Sequence, residues 1–243
     1  MSGTVSIIYP RIGEKIQVVH STYGYASGYR KPKSIPEQVN TLCGVFPHIT
    51  RELLGTSTTT KPVPAFAEGL FVIPHWGLIA QTYASAVLAA LEELEAVRGS
   101  KICKYYRGEI GSENFRRNFN TERALRSIHG GDEDWWHKVF TIPAQFGIQY
   151  RGASSHWAKR TFTKCEFGLG LFEVIIMLIT HPERLSCNDD LWIECPGDSY
   201  SFTPDNDPLS TPFLNIIDGE IGVGTVPTYE PGARYGSATL FLP

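Results

Sequence analysis

The sequence predicts an α+β fold, a single mixed domain over residues 1–243 with irregular connections. Three observations predict it. Candidate strands open the chain, helical patterns fill the middle and strands close it, so the elements segregate instead of alternating. Hydrophobic residues are 42% of the 243 and the net charge is only −3, the balance of a chain that buries its own core. Gly and Pro, 23 and 16 of them, break the middle and the end into short elements joined by irregular turns. A shift in composition near residue 186 marks a soft candidate boundary within that domain.

TVSIIY and EKIQVVH are β-branched and separated by Pro10 and Gly13, so both read as short strands. STYGYASGYRKPKS and GTSTTTKPVP are then loops. A helix is expected over Gly77 to Arg98, where Ala80, Ala84, Val87, Leu88, Leu91 and Leu94 recur at spacings of three and four and Gly99 stops the run. A second is expected from Glu113 to His129, with Ser112 as N-cap, Gly130-Gly131 as stop and Phe115, Phe119, Leu125 and Ile128 as buried stripe. A third is expected from Glu166 to Thr180, although Gly168 and Gly170 each cost about 1 kcal/mol against Ala in a helix. Beyond residue 186, Leu191-Trp192-Ile193 reads as a strand, Pro196-Gly197-Asp198 as a turn and TPDNDPLST as a loop. FLNII, Asp218-Gly219 and GEIGVGTV form a hairpin, and ATLFLP is a closing strand.

The opening MSGTVSIIYPRIGEK has no basic start, apolar core or small-residue cleavage site, so the default expectation is a cytoplasmic protein. The longest apolar run, Leu171 to Ile179, is interrupted by Glu173 and falls far short of the ~20 residues of a spanning helix. Cys43, Cys103, Cys165, Cys187 and Cys195 are odd in number and lack C-x-x-C spacing, which argues against a disulfide framework or a zinc site. No nucleotide loop, G-x-S-x-G or H-E-x-x-H motif is present, so neither a cofactor nor a metal is expected. The chain therefore leans away from an enzyme. A hydrolase remains an alternative on two features. His20-Ser21-Thr22 and His48-Ile49-Thr50 are H-x-[ST] motifs of the kind that protonate phosphodiesters, and Asp189-Asp190, Glu194, Asp198 and Asp205-Asn206-Asp207 are carboxylates that could hold a cation.

Charge is polarised along the chain. Residues 101–165 carry 12 basic and 6 acidic side chains, whereas residues 166–243 carry 2 basic and 12 acidic ones. Either the two segments attract each other within the fold, or the central one is a binding surface. Arg116, Arg117 and Arg123 lie near Trp135 and Trp136, and cations interleaved with aromatics suit single-stranded nucleic acid. That is the second reading, with nucleic acid as partner.

PAQFGIQYRGAS, EFGLGLFEVIIMLITHPERL, DLWIECPGD and YGSATLFLP together resemble an uncharacterised protein family of small-genome candidate-phyla bacteria. The resemblance covers about the last 100 residues, 143–243, and transfers no catalytic residue. That family is in turn similar to the variable proteins targeted by diversity-generating retroelements. The likeness implies a C-type-lectin-like fold in the C-terminal part, with a ligand-binding surface within residues 224–237. The contact residues it implies are Thr225, Thr228, Tyr229, Arg234 and Tyr235. Two features depart from the pattern: no G-G-x-W motif precedes the segment, and Asn and Ser are sparse in it. The leading expectation is a non-enzymatic recognition protein that binds a protein or other macromolecule through this Tyr/Arg/Gly segment.

Overall fold

A computed structural model describes residues 17–53, 62–104, 110, 113–128, 137–201 and 210–242. The fold is α+β. The helices are α1 (Ile35–Val45), α2 (Tyr83–Arg98), α3 (Phe119–Ile128), α4 (Ser155–Thr161) and α5 (Leu171–Thr180). The strands are β1 (Gly69–Pro74), β2 (Ile102–Lys104), β3 (Phe115–Arg117), β4 (Val139–Gln145), β5 (Glu166–Gly168), β6 (Trp192–Glu194), β7 (Asp198–Tyr200), β8 (Ser210–Ile217), β9 (Glu220–Pro227), β10 (Tyr235–Ser237) and β11 (Thr239–Phe241).

α5 is the axis of the core. All ten of its residues are buried, as expected of a helix that is apolar all round. It packs on α2, α1 and β1. Of its two polar residues, Glu173 sits at the first turn and accepts from Gly170 N–H at 3.1 Å, and Thr180 closes the helix by donating from Oγ1 to Met177 O at 3.0 Å. The buried apolar cluster is continuous across residue 186: Val174 and Leu178 share it with Ile193, Leu214 and Val223.

Two sheets flank this core. One has the antiparallel order β1-β4-β11-β5. In the other, β8 and β9 form the long hairpin, in register from Ser210↔Pro227 to Ile217↔Glu220. Asp218 takes a left-handed φ of 53° at the turn, as the Asp-Gly pair predicts. β6 and β7 pair with β8, β3 with β7, and β10 and β2 join by parallel pairing to β6 and β9. Ala238 carries the chain from one sheet to the other, with its N–H on Glu194 O and its carbonyl taken by Leu169 N–H.

Several expected boundaries move, each for a local reason. The helix expected from Gly77 begins at Tyr83, after a 3-10 turn at Trp76–Leu78, because Thr82 caps it by accepting from Ser85 N–H. Gly99 ends it with φ 64°. The helix expected from Glu113 divides into β3 and α3. Phe115 is buried in the strand, and Asn118 Oδ1 accepts from Asn120 N–H to start the helix. Phe119, expected in the buried stripe, is consequently 74% exposed. The helix expected from Glu166 divides at Gly168 and Gly170. A Cβ at Gly168 would meet Gly197 N and Pro196 at 2.8 Å, so glycine there serves a backbone crossing and not a helix. EKIQVVH supplies only an isolated bridge, Val18↔Ala153, among its described residues. TVSIIY, Ser112, Gly130-Gly131 and Asp205-Asn206-Asp207 lie outside the described residues. No described helix is long and apolar enough to cross a membrane.

Candidate ligand-binding surface

Strand pairing gathers the aromatic side chains of the C-terminal part. β10 runs parallel to β6 with Tyr235 beside Trp192, and β6 runs antiparallel to β8 with Glu194 opposite Phe213. Alternate strand residues share a face, so Trp192, Phe213 and Tyr235 stand on the same side of the sheet. The Trp192 and Phe213 rings are stacked, 5.7 Å between centroids and 4° between planes. Tyr235 meets each of them edge-on at 5.3 Å. Burial beside Glu194 and Glu230 pushes the Tyr235 phenol up to about 12, so it stays a neutral donor. Arg234 extends the array: its guanidinium carbon lies 4.9 Å from the Tyr23 ring centroid and 5.5 Å from that of Trp192. Its Nε donates to Tyr23 Oη at 3.0 Å and its Nη1 to Asn188 O at 3.4 Å.

Tyr23 brings in the N-terminal segment. Residues 22–26 line an open hollow of about 490 Å³ together with Asp189. Asp190 secures this wall by accepting the N–H groups of Ser27, Ser186 and Cys187, each at 2.8 Å, which leaves its neighbour Asp189 exposed. Beneath the wall, the Arg184 guanidinium is fully buried against the Tyr25 ring at 3.8 Å and donates from Nη2 to Leu191 O at 3.0 Å. Its Nε and Nη1 have no hydrogen-bond partner among the described residues. Tyr25 Oη donates to Glu68, whose carboxyl is raised above its ordinary range by burial. Tyr25 is therefore held from below by charge and from its edge by a hydrogen bond.

The structure places Arg234 and Tyr235 inside this array, and Thr228 and Tyr229 beyond it. Tyr229 is 45% exposed and lies 4.2 Å from the His156 ring. Thr228 supplies its carbonyl to His156 N–H and Ser155 Oγ, which docks α4 onto the hairpin end. Thr225 points elsewhere and lines a small apolar gap with Ile110, Phe115 and Tyr200. Tyr23, Trp192 and the buried Phe213 complete the array although the sequence pattern did not single them out as contacts, and Asp189, read from the sequence as a candidate cation ligand, lies beside it. The available signal was the Tyr/Gly spacing of STYGYASGY, a loop that buries Tyr29 in the core and leaves Tyr23 half-buried.

Arg116 and Arg123 of the central basic segment are exposed. Arg117 is not: its side chain is 9% exposed and turned inward. It donates bidentately to Glu173 at 2.8 and 3.0 Å, its Nε donates to Glu122, and its Nη1 lies 3.9 Å from Asp198 Oδ1. Strand alternation accounts for the split, since Arg116 and Arg117 leave β3 on opposite faces. Asp198 accepts in addition from Leu171 N–H at 2.6 Å and Tyr83 Oη–H at 2.7 Å, and burial pushes its carboxyl up to about 7. Arg117 thus belongs to the interior and is unavailable to a nucleic acid. Trp135 and Trp136 lie outside the described residues.

His20 and His48 are both exposed, and His48 lies edge-on to Phe46 at 6.2 Å. Asp190 is occupied by backbone N–H groups, while Glu194 accepts from Ser237 Oγ at 2.7 Å and is pushed up to about 7 by burial. Among the described residues no three His, Cys, Asp or Glu side chains form a metal-ligand group. The chain matches no protein-family model, no curated protein and no solved structure.

Proposed function

We propose that this protein is a non-enzymatic recognition protein that binds a protein ligand through the surface of Tyr23, Trp192, Arg234 and Tyr235. One observation carries the reading: Arg234 lies over two half-buried rings, Tyr23 and Trp192, beside an open hollow that ends in the exposed carboxylate of Asp189. Tyr, Trp and Arg dominate the binding energy of protein interfaces, because each offers large contact area with a polar tip and loses little rotamer freedom when already held. Here the rings are fixed by stacking and by strand pairing before any ligand arrives, which lowers the ordering cost of association. The breadth of the array and its lack of an enclosing wall favour a macromolecular face over a small molecule. The resemblance to retroelement variable proteins points to the same C-terminal segment.

A random peptide library displayed on phage, selected on the wild-type protein, tests this. Enriched peptides are expected to lose about ten-fold or more in affinity on Arg234→Ala and Asp189→Asn, the scale of a single interface hot spot. They are expected to keep full affinity on the distant Arg123→Ala. Enriched peptides that bind Arg234→Ala and Asp189→Asn as tightly as wild type, or a library that yields no enrichment, would overturn the assignment.

A further inference from the structure

A second hollow, of about 250 Å³, lies on a different face, between the start of α3, the end of α4 and β5. Its polar lining is rich in donors: Asn118, Asn120, Lys159, Thr163 and Lys164. Asn118 turns its Oδ1 onto Asn120 N–H at 2.9 Å, which leaves its amide N–H₂ to donate. Lys159 is half-buried, and among the described residues its ammonium makes no hydrogen bond and no ion pair. Burial lowers its pKa, and the buried carboxyls of Asp198 and Glu194, which act on it through space without a hydrogen bond or ion pair, offset only part of that cost. Glu166 is the one carboxylate in the lining, and its oxygens are spent inward. They accept from Tyr150 Oη–H at 2.7 Å, Thr239 Oγ1–H at 2.9 Å and Thr163 N–H at 3.4 Å. Donors without a hydrogen-bond partner among the described residues therefore line this hollow, and the one carboxylate in its lining is already engaged.

We infer that the hollow is a binding site for a small phosphomonoester, with Lys159 and Lys164 neutralising its charge and Asn118, Asn120 and Thr163 donating to its oxygens. Phosphate suits the donor set better than a carboxylate does. Two lysines act as point charges without the planar fork that an arginine offers a carboxylate, and the donors approach from three separate elements, as three terminal oxygens require. The volume lies below the ~300–1,000 Å³ of pockets that enclose drug-sized molecules, which limits the organic part to a few atoms. The site is independent of the aromatic surface and shares no residue with it.

Isothermal titration with inorganic phosphate, glycerol 3-phosphate and a single-stranded oligonucleotide tests the inference. Glycerol 3-phosphate is expected to bind at one site per chain and more tightly than inorganic phosphate. Lys159→Met should weaken it about ten-fold or more, the consequence of one lost charge-assisted hydrogen bond. Lys164→Ala, at an exposed position that leaves folding intact, should weaken it several-fold, and Arg234→Ala should leave it unchanged. Inorganic phosphate binding as tightly as the monoester would identify the free ion as the ligand and overturn the monoester assignment. An oligonucleotide that outcompetes both, with steep salt dependence, would assign the face to nucleic acid instead. Absence of saturable phosphate and phosphomonoester binding, or binding indifferent to both lysine substitutions, would remove the site.

Discussion

Arg117→Met removes the cation from a buried ionic knot, and the structure says where the cost falls. Three carboxylates lose a partner. Glu122 is 26% exposed at its side chain and retains Trp76 Nε1 at 3.4 Å, so water can replace much of what it loses. Asp198 keeps its two other donors, Leu171 N–H and Tyr83 Oη–H. Glu173 is the point of failure: its side chain is 2% accessible, and without Arg117 only Gly170 N–H remains to it. Removing one partner of a buried pair costs about 3–5 kcal/mol, because a charge stays behind in a medium that cannot solvate it. Urea unfolding of wild type, Arg117→Met and Arg123→Met is the assay. Arg117→Met is expected to lose about 3–5 kcal/mol, whereas Arg123→Met, at an exposed position on α3, should stay within about 0.5 kcal/mol. Adding Glu173→Gln to Arg117→Met should restore part of the loss, since it removes the stranded charge. A loss below about 1 kcal/mol for Arg117→Met, or no recovery in the double variant, would refute the reasoning that the knot is held by charge compensation.

Glu194 titrates near 7 when folded against an ordinary 4.5, so the folded state holds a proton that the unfolded state releases. Its contribution is greatest below pH 4.5 and is lost as pH rises through 7. Glu194→Gln, which keeps an acceptor for Ser237, should match wild type at pH 4.5 and exceed it by about 2–3 kcal/mol at pH 8 in denaturant melts. His181 shows the opposite sign. Burial holds it neutral with a pKa of about 4, and its Nε2 accepts from Lys33 N–H at 2.8 Å. Stability from this group is complete above pH 6.5 and is lost as pH falls through 4, and His181→Gln should flatten that part of the profile. Gly147 has φ 121°, and a Cβ there would run into Gly236 O, so Gly147→Ala should cost about 2 kcal/mol or more in thermal melts while leaving the sheet composition intact.

What the sequence made legible was governed by local rules. The hairpin β8–β9 follows from alternation and from Asp218-Gly219, and both the core helix α5 and the stop at Gly99 follow from composition and a left-handed residue. What it concealed was set by partners distant in the chain. β1 and β4 read as unremarkable apolar stretches until they pair across nearly 70 residues, from Gly69↔Ala144 to Pro74↔Val139. α1 escaped notice because its apolar face is narrow, although Ser34 and Glu37 form a reciprocal cap that was present to be read, Ser34 N–H on Glu37 Oε2 at 2.9 Å. Gly168 and Gly170 look like weak points in a helix and Gly197 like a turn residue, and all three serve the crossing of two backbones. For the candidate surface, Arg234 and Tyr235 were readable as large side chains in an irregular loop. Tyr23 was not, since nothing local ties residue 23 to residue 234; their hydrogen bond spans 211 positions.

The charge polarity of the chain has a consequence for the whole molecule. Of the ten acidic residues described within 166–243, five are buried: Glu166, Glu173, Asp190, Glu194 and Asp198. Their oxygens serve backbone N–H groups, hydroxyls and Arg117, so half of the described acidity there is spent inside the fold. The central cations Arg116, Arg123, Arg126, Arg160 and Lys164 stay exposed. The surface is accordingly more basic than the composition, whose isoelectric point is near 6.2. Around that pH, Asp198 and Glu194, both pushed up to about 7, each retain much of a proton, which together outweighs the single charge that His181 gives up by titrating near 4. Isoelectric focusing should therefore place the native protein above its own urea-denatured form. A native band at or below the denatured one would mean that these carboxyls are ionised in the folded state, and the case for a surface that attracts phosphate would lose its electrostatic half.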